Sequence, residues 1–198
     1  MKILLVVAHP RPSSLTHGVA AAFAAEARII GHTVVLADLY AEGFDPVLRE
    51  DDEPDWNDPN KVYSPAVRRE MARIDANDAT VLVFPAWWWS MPAMMKGWID
   101  RVWNQGFAHA GASSPHRRVW MIAIAGNDGA AYTKRGYDAA MRTTLDVGIV
   151  GYCSVEDRRL ELLYGAIEDA ARQTNVRRNK LSAAGSSERR RTGGRLML

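Results

Sequence analysis

The chain opens on "KILLVVA" (residues 2–8), an unbroken apolar run rich in Val and Leu, the pattern of a strand buried on both faces. "HPRPSSLT" (9–16) follows as a loop. From Ser14 the apolar positions Val19, Ala22, Phe23 and Ile30 predict a helix that stops at Gly31. "TVVLADL" (33–39) reads as a second strand, and residues 40–64, with prolines and many acids, as a long connection with little regular structure. Ser64 as N-cap and Pro65 at the first helical position open the next helix. "ATVLVFP" (79–85) is the third strand. "MPAMMKGWIDRVW" then restarts a helix, with Met95, Ile99 and Val102 on one face and Trp98 and Trp103 beside it. "RVWMIAIAG" (118–126) is the fourth strand. A helix over about 132–146, a short strand near "GIVGYC" (148–153) and a last helix over 157–176 complete the pattern.

Strands that alternate with helices, none joined by a tight hairpin, predict a parallel sheet with right-handed crossovers. Five of them in this length predict an α/β fold: a doubly wound five-stranded sheet in three α/β/α layers. A ligand crevice in such a fold lies beyond the carboxyl ends of the strands, at the switch point. The loops at 9–16, 85–91 and 126–132 therefore carry the function. One domain over residues 1–176 accounts for the pattern, and residues 177–198 form a separate tail.

Composition narrows the setting. At 198 residues the chain is long enough for a substantial core, and no apolar run approaches the roughly 18–20 residues that span a bilayer. The opening run is followed by His9, Pro10 and Arg11, not by a small-residue cleavage site, so a cytoplasmic protein without stable membrane insertion is expected. The net charge of +2 hides an asymmetry. Residues 177–198 hold seven Lys or Arg against one Glu, leaving eighteen basic against twenty-two acidic side chains in residues 1–176. A mildly acidic body gives no hint of nucleic-acid binding, and the tail's Ser, Gly and Arg predict a mobile, solvated segment. Cys153 is the only cysteine, which excludes an internal disulfide and a thiolate metal site. It reads as a structural thiol at a strand end, and no metal site is expected.

Each of the three loops admits two readings. In the first, Ser13, Ser14 and Thr16 lead into a helix N-terminus, where free N–H groups and the helix dipole favour an anion. The same residues also make a plain cap, and His9 could meet a phosphate or satisfy a local carbonyl. The loop matches neither a Walker sequence nor G-x-G-x-x-G. In the second, "FPAWWWSMPAMMKGWIDRVW" (84–103) holds five of the seven tryptophans, three of them between Pro85 and Pro92. A flat ring such as isoalloxazine suits both the tryptophan faces and the row of N–H groups at residues 86–91. Burial against the sheet or an oligomer contact is the alternative, and three consecutive rings cannot all face one way. In the third, Gly126 and Gly129 allow close approach to a ligand, although "GNDG" is also an ordinary turn.

Together, "AHPRPSSLT", "DLYAEGFDPVL", "FPAWWWSMPAMMKGWIDRVWNQGFAH" and "IAGNDGAAY" resemble the NAD(P)H:quinone oxidoreductase family, also called DT-diaphorase-like or flavodoxin-2-like, over roughly residues 3–165. The most specific stretch is the strand, Pro-x-x-Trp turn and Lys-Gly-Trp-x-x-Arg-Val helix. The resemblance implies a flavodoxin-like fold, a bound flavin and a homodimer with active sites at the interface. By position it implies flavin phosphate and ribityl contacts for His9, Ser14, Leu15 and Thr16. It assigns the isoalloxazine loop to Pro85, Ala86, Trp87, Trp88 and Trp89, and the pyrimidine end to Gly126, Asn127 and Tyr132. It also implies that Trp88 and Trp89 wall the substrate pocket. Separately, the apolar face of the 92–103 helix is broader than one sheet contact requires, which predicts a dimer contact there, with Phe107 of "NQGFAH" reaching the neighbouring subunit's pocket.

The chain departs from the best-known members at two points. They have paired glycines where Gly126-Asn127 stands, and a histidine after the tyrosine where residues 133–140 hold none. FAD is favoured over FMN because the 40–64 segment resembles the FAD-binding members. The implied activity is an NAD(P)H dehydrogenase (quinone): NAD(P)H reduces the flavin, and a quinone or similar acceptor takes two electrons. Tyr132 is the expected catalytic donor. A non-enzymatic flavodoxin-like electron carrier is the alternative, kept alive by the acidic "EDDEPDWND" (50–58); a regulatory subunit of a membrane transporter is a third reading.

Overall fold

The computed structural model describes residues 1–58, 61–109 and 118–166. The expected tail, and the last ten residues of the expected final helix, lie outside them.

Five strands form one parallel sheet: β1 (Lys2–Val7), β2 (Thr33–Asp38), β3 (Ala79–Pro85), β4 (Arg118–Ile124) and β5 (Asp157–Leu163), in the order β2-β1-β3-β4-β5. β1 is an interior strand, paired with β2 from Lys2↔Thr33 and with β3 from Ile3↔Ala79. Its residues alternate between the two faces. Leu4, Val6 and Ala8 join Leu82 and Phe84 of β3 in one core, while Ile3, Leu5 and Val7 join Val81 and Val83 in the other. The second core is covered by α1 (Leu15–Ile29), through Val19, Ala20, Ala24 and Ala27. The first is covered by α2 (Pro65–Asp75) and α3 (Ala93–Val102). The chain order folds back on itself between β1 and β3, the switch point of a flavodoxin-like sheet.

Helix starts follow their cap chemistry. Ser14 and Ser64 accept from the N–H groups of His17 and Val67, and Pro65 takes the first turn of α2.

The C-terminal third differs from the pattern read off the sequence. The fifth strand is residues 157–163, not "GIVGYC". In "DRRLELL", Leu160 and Leu162 are buried while Arg159 and Glu161 face out, the period-two alternation of an edge strand. The expected helix over 132–146 starts earlier, as α4 (Gly129–Arg135) capped by Asp128, and breaks at Gly136. Gly136 has φ 69°, a left-handed turn that glycine adopts without penalty. α5 (Tyr137–Met141) restarts the helix, and residues Arg142–Gly151 continue it with a wider, π-type winding. "GIVGYC" therefore belongs to a helix that buries Val150 and leaves Val147 exposed, a one-sided burial that a central strand would not show.

The broad apolar face of α3 also has a different explanation from an oligomer contact. Met95, Trp98, Ile99, Val102 and Trp103 are all buried within this chain, packed with Phe44 and Tyr63 of the 40–64 connection. Gly97 is what lets that connection approach, since a Cβ there would collide with the Pro46 carbonyl. Trp98 donates from Nε1 to Glu70 at 3.2 Å, and Arg101 donates to Asp52 at 2.7 Å and to the Asp45 carbonyl. The Lys-Gly-Trp-x-x-Arg-Val motif is thus a scaffold that fastens residues 44–64 beneath the helix.

Candidate active site

The carboxyl ends of β1, β3 and β4 open into one cleft of about 540 Å³. Its lining contains His9, Leu15, Thr16, Pro85, Ala86, Trp87, Trp88, Trp89, Gly126, Asn127 and Tyr132. All of these were singled out from sequence. Two others were not brought there. Ser14 is buried beside the cleft, with its hydroxyl 2.9 Å from His17 Nδ1 and accepting from the His17 N–H. Phe107 packs half-buried against the core and is not part of the lining.

The first loop brings the N-terminus of α1 to one end of the cleft. With Ser14 as cap, the first intrahelical donor is the Gly18 N–H, and the Leu15 and Thr16 N–H groups have no helical acceptor. His17 connects Ser14 to Asp38: its Nε2 lies 2.8 Å from the Asp38 carboxylate, which also accepts from the Tyr40 and Ala41 N–H groups. His9 accepts the Arg11 N–H at Nδ1, so its neutral ring carries the proton on Nε2. Burial, then the charge of Arg11, holds its pKa below the ordinary imidazole value.

The second loop is a tight turn with an unusual backbone. Trp88 and Trp89 have φ of 51° and 55°, and the Ser90 N–H donates to the Trp87 carbonyl at 3.1 Å. Two consecutive positive φ values closed by that bond are the pattern of a type I′ turn, which normally takes Asn-Gly. Each non-glycine residue held there costs about 1–2 kcal/mol. Strain of this kind gathers at functional sites. The three rings diverge, as three consecutive residues must. Trp87 lies 5.6 Å from His9, Trp89 stacks on Tyr137, and Trp88 stands 87% exposed. The N–H groups of Ala86, Trp87 and Ser90 are taken by carbonyls, whereas those of Trp88 and Trp89 have no partner among the described residues. Three of the six N–H groups at 86–91 are therefore taken, and Trp88 and Trp89 offer two adjacent free ones.

The third loop closes the far end. Asn127 accepts the Gly165 N–H at its carbonyl, and Ala125 exchanges bonds with Leu163 and Ala166. Tyr132, 3% exposed, sits in the first turn of α4 between Tyr137 and Tyr164, at ring distances of 5.9 and 5.2 Å. Its hydroxyl has no hydrogen bond among the described residues, and burial raises its pKa above the ordinary phenol value. Gly129 approaches the Tyr164 ring and not the cleft.

Arg11, Ile124 and Ala166 also line the cleft and were missed. Arg11 was visible in "HPRPSS", two positions after His9. Ala166 was hidden by the mistaken final helix. Cys153 is buried away from the cleft, its thiol pushed up to about 11 by burial. Among the described residues no group of His, Cys, Asp or Glu is arranged to hold a metal, and no helix is long and apolar enough to cross a membrane.

Known proteins resemble this chain in sequence and fold. A protein named an uncharacterized NAD(P)H oxidoreductase, YcaK, from Escherichia coli is 38% identical over 167 residues, covering 84% of this chain and 85% of that protein. NAD(P)H dehydrogenase [quinone] 1 from Rattus norvegicus is 27% identical over 188 residues, covering 82% and 68%. The solved NAD(P)H:quinone oxidoreductase from Methanothermobacter marburgensis superposes with a TM-score of 0.85 at 25% identity, over 93% of this chain and 94% of that one. The profile of the family described as Flavodoxin-like fold matches residues 1–184. With nearly the whole chain matched, and with the sheet order and cleft that this fold requires, the protein belongs to the flavodoxin-like fold family, Flavodoxin_2.

Proposed function

We propose that this protein is a flavin-dependent NAD(P)H dehydrogenase (quinone), passing two electrons from NAD(P)H to a quinone or similar acceptor. One observation carries the reading. A helix N-terminus, a strained aromatic turn and an unpartnered tyrosine hydroxyl converge on one cleft at the switch point. The names of the relatives, reductases that use NAD(P)H and quinone, support the same chemistry.

The residues present fit a flavin. The Leu15 and Thr16 N–H groups, with the α1 dipole and Arg11 beside them, suit a phosphate. The free N–H groups of Trp88 and Trp89 suit the polar edge of the ring, with the flanking tryptophans and Ala86 supplying flat apolar walls. When bound, the flavin supplies the hydride-transfer chemistry, and the protein supplies orientation and charge stabilisation. His9 Nε2 offers a neutral donor at the cleft. Tyr132 keeps its proton at neutral pH, so its Oη donates to negative charge without being consumed. Trp88 and Trp89 wall the acceptor space.

FMN is the form we propose. The described residues of 40–64, the segment whose resemblance favours FAD, line no part of the cleft, and a single helix N-terminus accounts for a single phosphate. A homodimer is part of the same reading. α3 is spent on the chain's own core, so the support comes from Trp88, a large ring exposed on a strained backbone. A nicotinamide donor and a single cysteine suit a cytoplasmic setting.

The absorption spectrum of the purified protein, chromatography of the released cofactor and steady NADH or NADPH oxidation with a quinone test the proposal. A colourless preparation that takes up no added flavin overturns it. Bound flavin without NAD(P)H turnover would mean an electron carrier instead.

A further inference from the structure

A type I′ turn built from two tryptophans does not hold itself. Asn-Gly reaches positive φ cheaply, whereas Trp88 and Trp89 are there at 51° and 55° with a single Ser90–Trp87 hydrogen bond closing the turn. Such a conformation persists only where its surroundings over-determine it. Trp87 rests on His9, and the largely exposed Trp88 meets Trp89 edge-on at 6.0 Å. The firm contact is at Trp89. Its ring lies 4.1 Å from that of Tyr137, tilted by 31°, close to a stacked pair.

Tyr137 is well placed to hold it. Gly136, at φ 69°, breaks the helix and sets Tyr137 at the first position of α5. The edge of the Tyr137 ring meets Tyr132 at 5.9 Å, and Tyr132 meets Tyr164 at 5.2 Å. A continuous series of ring contacts therefore runs from the 86–91 turn to the end of β5, with Tyr137 as the link between the two walls. Tyr137 itself does not line the cleft.

We propose that Tyr137 is a positioning residue for the acceptor-binding wall: by stacking on Trp89 it holds the left-handed Trp88–Trp89 turn in the conformation that bounds the cleft. Its role is exerted through its ring and not its hydroxyl. The inference rests on the quinone-reductase reading only for the consequence in catalysis; the stack itself stands on geometry.

The test compares Tyr137→Phe, Tyr137→Leu and Tyr137→Ala in the full-length protein as purified. Leu keeps apolar bulk at this half-buried site, so it decides the matter if Ala fails to fold. Near-ultraviolet circular dichroism and acrylamide quenching of tryptophan emission report the stack whether or not any reductase activity is found. Leu should reduce the tryptophan dichroism and raise quenching. It should also raise KM for a bicyclic quinone roughly three- to tenfold, the range an aromatic pair supplies, with kcat changed less than KM. Phe should restore the parent values in every readout. Unchanged dichroism and quenching in Tyr137→Leu overturn the proposal, as does a Phe variant as damaged as the Leu one. Altered dichroism in a protein that reduces no quinone would leave the clamp standing and remove the assigned activity instead.

Discussion

Arg101 on α3 and Asp52 in the 40–64 connection meet at 2.7 Å, both almost wholly buried, and Ser64 and Asn104 complete the shell around them. Asp52 accepts the Ser64 N–H and hydroxyl, while Asn104 binds the Asp52 carbonyl. The Arg101 guanidinium also lies over Phe44, 5.3 Å from its centroid. This network joins the longest connection in the described residues to the helix that follows the tryptophan turn.

Breaking one partner strands the other. Asp52→Ala leaves Arg101 buried without its carboxylate and should cost about 3–5 kcal/mol of stability, read from urea unfolding. The same pair predicts an acid limb. Burial alone would push the Asp52 carboxyl up, but the Arg101 and Ser64 hydrogen bonds outweigh it and hold the pKa below the usual carboxylate value. The ionised form therefore stabilises the fold at neutral pH. That contribution is complete above the ordinary carboxylate pKa and disappears as pH falls through the lowered one. Unfolding midpoints of the parent should fall across that acid range, and those of Asp52→Asn should fall less.

Gly97→Ala places a Cβ against the Pro46 backbone carbonyl, an atom that no rotamer change can move. Helix propensity would favour Ala by about 1 kcal/mol, and overpacking opposes it by about 1–3 kcal/mol or more. The clash should win. A lower thermal midpoint, with quinone turnover per bound flavin little changed, is the expected result; a stabilised variant would show that the connection yields easily.

Most of the sheet was legible because β1 and β3 are buried on both faces, and β4 on one face with the other half-buried, so all three read as apolar runs between Gly, Pro and Ser signals. β5 was not, because an edge strand with Arg159 and Glu161 facing out resembles one face of a helix over so short a span. The cleft residues were legible for another reason: a doubly wound sheet sends its loops to one end, so His9, Trp88, Asn127 and Tyr132 could be grouped before any contact was known. What depends on backbone conformation stayed hidden. No pattern in "AWWWSM" announces two left-handed tryptophans, and none in "GYDAAM" announces that Tyr137 lies against them.

The Ser14–His17–Asp38 series predicts a coupled loss at the α1 end of the cleft. Ser14→Ala removes both the cap and the hydroxyl beside His17, at a cost of about 1 kcal/mol. Asp38→Asn weakens the bond that orients the ring. Both should raise the dissociation constant for flavin, measured by fluorescence titration of the stripped protein. Because the residues form one network, the double variant should lose less than the sum of the singles. Fully additive losses would show that His17 does not link them.

Tyr132→Phe is the sharpest test of the site. The substitution keeps a ring between Tyr137 and Tyr164 and removes only the hydroxyl, which has no hydrogen-bond partner among the described residues. If Tyr132 Oη donates to charge that develops during electron transfer, its loss should slow turnover by about ten- to a thousandfold with flavin still bound. Stopped-flow kinetics would follow reduction by NAD(P)H and reoxidation by quinone separately, and the slowed half-reaction identifies the charge that Tyr132 serves. The pH profile supplies an independent check. Burial, with Tyr164 as a lesser cause, raises the Tyr132 pKa, so the donor keeps its proton into the range where an ordinary phenol loses it. Turnover in the parent should therefore hold through that range and fall only at higher pH, and the Phe variant should lack that fall. Unchanged rates in both half-reactions would leave Tyr132 as packing over the loop.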